Sequence, residues 1–117
     1  MQFHHLALRV KNMEQSIRFY ETLLQLHVRV REAAAPGEIA YLGNAQGETE
    51  IELIAMPGAQ TFEGKGMFLC FATKDLDAAH ARAVESGMRP SDIYQPDPRY
   101  FYAYDPDGVS VQLREYQ

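Results

Sequence analysis

The sequence predicts an α+β fold made of two tandem βαβββ modules, and three observations carry that expectation. Short strand-like segments gather around two amphipathic stretches that begin with helix-capping residues. The landmarks recur at a near-constant spacing: Asn12 and Asp75 lie 63 apart, strand starts at His5 and Met67 lie 62 apart, and Glu52 and Gln112 lie 60 apart. The chain has 117 residues, the size of one domain with a core of its own, and two copies are too few for an open repeat array.

Residues 3–10 alternate as a strand, with Leu6, Leu8 and Val10 on one face and Phe3, His5, Ala7 and Arg9 on the other. Asn12 offers a helix N-cap with Gln15 at the capping-box position, and Met13, Ile17, Tyr20, Leu23 and Leu24 then form one apolar stripe. Strands are expected at 27–32, 38–43 and 49–55, separated by the turn signals Pro36-Gly37 and Asn44-Ala45-Gln46-Gly47. Residues 57–66 have the composition of a linker, so module 1 covers about 1–56 and module 2 about 67–117 of a single 1–117 domain.

The order then restarts. MFLCFAT (67–73) reads as a buried strand. Asp75 caps a helix over 76–87 with a thin apolar face of Leu76, Ala79, Ala83 and Val84, closed by Gly87. Strand-like pieces follow at 92–95, 99–104 and 109–115, the last two joined by the turn Asp105-Pro106-Asp107-Gly108.

Composition narrows the function. The net charge is −5, without a Lys/Arg run, which argues against nucleic acid or an anionic membrane as partner. The single cysteine, Cys70, forms no internal bridge and reads as a small buried apolar residue in a reducing, cytoplasmic setting. No stretch reaches the ~18 apolar residues of a spanning helix, and the N-terminus lacks the basic start and apolar run of a signal peptide.

Each module has a one-sided sheet. The face away from the helix carries His5, Ala7 and Arg9, Glu50 and Glu52, and Ser110, Gln112 and Arg114. Such polar groups are either solvated or line a concavity where twisted strands curl and gather side chains towards one point.

HLALRVKNMEQSIRFYETLLQL, with Ser16, Phe19 and Tyr20 at its centre, IELIA at 51–55 and DPDGVSVQL at 105–113 together resemble the vicinal oxygen chelate superfamily of glyoxalases, bleomycin-resistance proteins and extradiol dioxygenases. The resemblance spans essentially the whole chain. It implies two modules, each curling half-way round a cup with helices outside, and one metal ligand from the first and fourth strands of each. Carried over, those positions are His5, Glu52, Met67 and Gln112. Imidazole and carboxylate suit Zn, Ni, Mn or Fe, whereas a thioether suits Cu(I) and an amide is neutral. The implied site is therefore a divalent metal held by His5, Glu52 and Gln112, weakly or not at all, with Glu52 as the catalytic base because Gln112 cannot take a proton.

Substrate contacts fall to Arg9, Met67, Tyr102 and Arg114. Arg9 resembles the arginine that holds an anionic substrate end in glyoxalase-like sequences, and a guanidinium fork suits a carboxylate. Glu52 has two readings from its position alone: a metal ligand, or half of an Arg9–Glu52 ion pair in a metal-free cup. Tyr100, Tyr102 and Tyr104 share a strand face and either stack on a flat ligand or pack under an edge. His4 points to the helix side or the rim and is not expected to be a ligand; His27 and His80 have no chemical partner at a readable spacing.

Two function classes follow. One is a metal-assisted lyase or isomerase acting on a small, oxygen-rich, anionic substrate; the other is a metal-independent small-molecule-binding protein of the bleomycin-resistance kind. Either would work as a cytoplasmic protein whose partner is a small-molecule ligand, and the resemblance implies a homodimer.

Overall fold

The computed structural model describes residues 1–44, 48–61, 65–95 and 97–116. The chain divides into two compact units, Met1–Phe62 and Glu63–Gln117. Parts of the expected linker (62–64) and of the turn at 44–47 (residues 45–47) lie outside the described residues.

Unit 1 runs β1 (His5–Arg9), α1 (Met13–Leu24), β2 (His27–Ala34), β3 (Gly37–Gly43) and β4 (Glu50–Ala55). Its sheet has the order β1-β4-β3-β2, with β1 parallel to β4 and the other pairs antiparallel. The Asn12 side chain accepts from the Gln15 backbone N–H at 3.0 Å, which satisfies one of the donors a helix start leaves open. α1 ends without glycine: Gln25 takes the left-handed conformation at φ 56°. The helix packs on β4 and β2, and its Ile17, Tyr20 and Leu23 are buried, as are Ala40, Leu42, Ile51 and Leu53 of the sheet. Gly37 has no room for a side chain, since a Cβ there would stand 1.9 Å from the Ala55 carbonyl oxygen.

Unit 2 runs β5 (Phe68–Thr73), α2 (Leu76–Glu85), β6 (Tyr100–Tyr104) and β7 (Ser110–Glu115), with the sheet order β5-β7-β6. Asp75 caps α2 as Asn12 caps α1, accepting from the Ala78 N–H at 3.0 Å, and Gly87 follows the helix at φ 72°. The strand expected at 92–95 is reduced to a bridge between Tyr94 and Tyr100. Two prolines in the sequence, Pro90 and Pro96, flank that segment and supply no ladder donors. A clasp of one backbone and one side-chain bond takes the place of a ladder: the Ser91 N–H donates to the Tyr102 carbonyl and the Tyr102 N–H to Ser91 Oγ, each at 2.9 Å. The His80 ring, half-buried on α2, sits with Nε2 2.8 Å from the Ser91 carbonyl oxygen and edge-on to Phe101, so it is a structural anchor and not a bare surface histidine.

The two units share one further device. The acidic residue at the second position of each helix, Glu14 or Asp77, pairs with an arginine that also grips the sheet: Arg31 joins Glu14 to Glu38, and Arg99 joins Asp77 to Glu115. Glu14 and Asp77 are again 63 apart.

Candidate functional site

In each unit the strand face turned from the helix carries the candidate residues. Along β4, Ile51 and Leu53 are buried on the helix side, which leaves Glu50, Glu52 and Ile54 on the other. Glu52 is nevertheless 9% exposed, so its carboxylate needs partners to offset the loss of water. It has two. His5 Nε2 lies 3.3 Å from Glu52 Oε1. Tyr41, directly opposite Glu52 in the β3–β4 register, hydrogen-bonds its carboxylate through the phenol. Burial first, and then that carboxylate, push the Tyr41 phenol above its ordinary pKa. The His5 ring meets Tyr41 edge-on with centroids 5.2 Å apart, and its other nitrogen, Nδ1, is 2.7 Å from His4 Nδ1. Because Nδ1–Nδ1 contact requires one donor and one acceptor, a neutral His5 donating to Glu52 through Nε2 takes its second hydrogen bond from His4.

The expectation that His5 and Glu52 lie on the strand faces turned from the helix agrees with the structure, which also brings the two side chains together. The sequence reading misses Tyr41, whose signal is its alternation with Ile39 and Gly43 across from Glu52. It also misses His4, whose exposed ring orients His5. Arg9 is exposed on the same strand, four residues on from His5 and opposite Ile54; the Glu52 carboxylate has His5 beside it, and among the described residues no ion pair includes Arg9.

Unit 2 has the corresponding face with other chemistry. Three cross-strand rows run Phe68–Ser110–Tyr104, Cys70–Gln112–Tyr102 and Ala72–Arg114–Tyr100. Gln112 sits where Glu52 sits and Tyr102 where Tyr41 sits. The amide is spoken for at both ends: Oε1 accepts from the Cys70 thiol at 2.9 Å and Nε2 donates to the Tyr102 hydroxyl at 3.1 Å. Cys70 is thus exposed and hydrogen-bonded, not buried, because β5 is an edge strand whose Phe68, Cys70 and Ala72 all face away from α2.

The register also moves one position. His5 pairs with Glu50 and Phe68 with Ser110, so the residue matching His5 is Phe68, while Met67 precedes β5 and by alternation belongs with Leu69 and Phe71. A run of seven apolar and small residues has no phase of its own. The 63-residue spacing of the helix caps supplies it. Phe68 is 58% exposed and contacts Tyr102 at 5.5 Å; Tyr94 stacks on Tyr100 at 5.2 Å, and Tyr100 meets Tyr102 at 5.7 Å.

Two donors of the implied metal set pass a geometric test. Ligands bound to one tetrahedral ion at ~2.05 Å stand ~3.3 Å apart, which is the separation of His5 Nε2 and Glu52 Oε1. The matching pair in unit 2 does not follow: a phenyl ring replaces an imidazole, and the Gln112 oxygen already accepts a hydrogen bond. Among the described residues no group of three His, Cys, Asp or Glu is placed to hold a metal ion. A cleft of about 550 Å³ in unit 1, lined by Val10, Lys11, Gly37, Glu38 and Met56 among others, lies at the far end of β1 from His5 and includes none of these residues.

The two units define an α+β fold consistent with tandem βαβββ modules. The chain belongs to the Glyoxalase/Bleomycin resistance protein/Dioxygenase superfamily, whose family model matches residues 2–113. It is 33% identical to the uncharacterized protein YwbC of Bacillus subtilis (strain 168) over 93% of each chain. Among solved structures it is similar to TnmS3, an antibiotic binding protein from Streptomyces sp. CB03234, with a TM-score of 0.83 and 20% identity, covering 100% of this chain and 97% of that one. It is also similar to the fosfomycin resistance protein FosX from Listeria monocytogenes, solved with Mn(II) and dihydroxypropylphosphonic acid, with a TM-score of 0.78 and 16% identity over 94% of this chain and 88% of that one. Among the described residues no helix is long and apolar enough to cross a membrane.

Proposed function

We propose that this protein is a metal-independent small-molecule-binding member of its superfamily, taking its ligand on the sheet faces that other members use to hold a metal. The observation that carries this reading is Gln112, a neutral amide at the fourth-strand position with both of its polar ends hydrogen-bonded inside unit 2. Such a group is neutral and its oxygen already accepts one hydrogen bond, so it is a weak ligand for a dication. Phe68, Tyr94, Tyr100 and Tyr102 around it supply ring faces and edges for a flat ligand. The likeness of fold to an antibiotic binding protein is consistent with this use. Within the reading the chain works as a cytoplasmic homodimer, which light scattering on the untagged protein tests. A ligand screen by thermal shift, run with and without chelator, tests the binding itself: stabilisation that survives chelator supports it, and stabilisation that appears only with added metal overturns it.

A second reading rests on the 3.3 Å spacing of His5 and Glu52. In it those two residues hold Zn, Ni, Mn or Fe weakly for a lyase or isomerase. The ion would polarise oxygens of a small anionic substrate, with Arg9 drawing the anion and Glu52 as the only carboxylate in the set able to take a proton. Elemental analysis of protein dialysed against each metal decides between the readings, since lasting stoichiometric uptake supports this one alone.

A further inference from the structure

Hydrogen bonds on the sheet face of unit 2 turned from α2 run in one direction. The Cys70 thiol donates to Gln112 Oε1, and Gln112 Nε2 donates to the Tyr102 oxygen. The chain ends on the Tyr102 hydroxyl hydrogen, which has no acceptor among the described residues. One row along, Arg114 is half-buried between Ala72 and Tyr100, and among the described residues its guanidinium takes part in no ion pair or hydrogen bond. Arg99 is the contrast in the same unit, with two carboxylates on its guanidinium. Tyr102 and Arg114 are diagonal neighbours across β6 and β7, about 7–8 Å apart at the backbone and within reach of one small molecule. Both are donors, no carboxylate stands in any of the three rows, and the surrounding groups are aromatic rings.

From these features we infer that unit 2 recognises a flat aromatic carboxylate. The ring lies against Tyr102, Tyr100 and Phe68. The carboxylate takes the Arg114 fork, with Tyr102 donating to an oxygen of the ligand. A guanidinium in a half-buried setting binds a carboxylate better than an amide, because the carboxylate adds an opposite charge and two acceptors that match the fork. An aromatic cation is disfavoured here, since it would meet Arg114 and find no anion in the rows. This inference rests on the ligand-binding reading above and names the chemical class of the ligand.

The test is calorimetric titration of the full chain with 2-naphthoate, its neutral isostere 2-naphthamide and the cation 2-naphthylmethylammonium. Naphthoate is expected to bind about tenfold more tightly than naphthamide. Arg114→Gln is expected to abolish that preference without changing the melting temperature, and Tyr102→Phe to weaken naphthoate several-fold. An absent naphthoate signal, equal binding of acid and amide, or a preference that survives Arg114→Gln overturns the inference. Naphthylmethylammonium binding while naphthoate does not removes the anionic assignment but leaves the binding reading standing. A thermal-shift screen without any chelator-resistant ligand removes the reading itself.

Discussion

The two units solve one packing problem with the large side chain on opposite sides. Asn12 and Asp75 set the helices in register, so Tyr20 of α1 matches Ala83 of α2. Ala40 opposite Leu53 in the sheet of unit 1 matches Phe101 opposite Leu113 in unit 2. Tyr20, Ala83, Ala40 and Phe101 are all fully buried. Unit 1 thus puts the aromatic on the helix and the alanine on the strand, and unit 2 does the reverse. Interiors are close-packed, so the sum of the volumes is constrained while the side that supplies it is free. The sheet faces turned from the helices obey the same logic with charge in place of volume. Tyr41 with Glu52 and Tyr102 with Gln112 keep one arrangement, yet in unit 1 the phenol bonds a carboxylate and in unit 2 it accepts from an amide.

Deleting the large partner breaks the comparison most severely. Phe101→Ala leaves a void that Ala79 and Ala83 cannot fill, and a loss of about 3–5 kcal/mol is expected in urea unfolding. Ala40→Phe adds a second ring to a core that already holds the buried Tyr20 and is expected to cost about 1–3 kcal/mol by overpacking. If Ala40→Phe proves neutral, the matching of strand and helix volumes is wrong.

Much of this frame is legible in the sequence, and the limits have physical causes. Alternation and capping residues locate both helices and the strands of unit 1 because each has a polar face to set its phase. MFLCFAT has none, so Met67 takes the place that belongs to Phe68, and Cys70 reads as buried although it lies on an open edge. The strand at 92–95 fails for another reason: local propensity does not reveal that Ser91 and His80 take over the ladder's work. At the candidate site His5 and Glu52 are readable because a carboxylate between Ile51 and Leu53 has only one face to occupy. Tyr41 is not, because its role depends on which residue β3 sets opposite Glu52.

The helix caps sharpen the comparison at a smaller scale. Asn12→Ala and Asp75→Ala each remove one 3.0 Å side-chain bond to the backbone, and each is expected to cost about 1 kcal/mol. Unequal losses would show that the units do not share their capping energetics. Glu52→Gln is expected to lower the Tyr41 phenol towards its ordinary pKa, read by difference absorbance against a Tyr41→Phe background. The fall should be partial, because burial is the larger cause of the rise and stays in place.

The smallest expected effect concerns the two arginine clasps. Hydrogen bonding to Arg31, and then its charge, holds the Glu14 carboxyl below its ordinary pKa, and Arg99 does the same for Asp77. A carboxylate whose pKa is depressed by folding adds stability that is complete above its unfolded pKa, near 4, and fades as pH falls through the folded value. Arg31→Gln and Arg99→Gln should therefore lower the melting temperature slightly at pH 7, and wild type and variant should converge as pH drops below about 4. The effect is small because both carboxylates are well exposed and salt screens such pairs. Equal slopes in the two units would extend their equivalence from packing to electrostatics. A gap that widens in acid would mean that the arginines stabilise the fold through their aliphatic stems and not through these ion pairs.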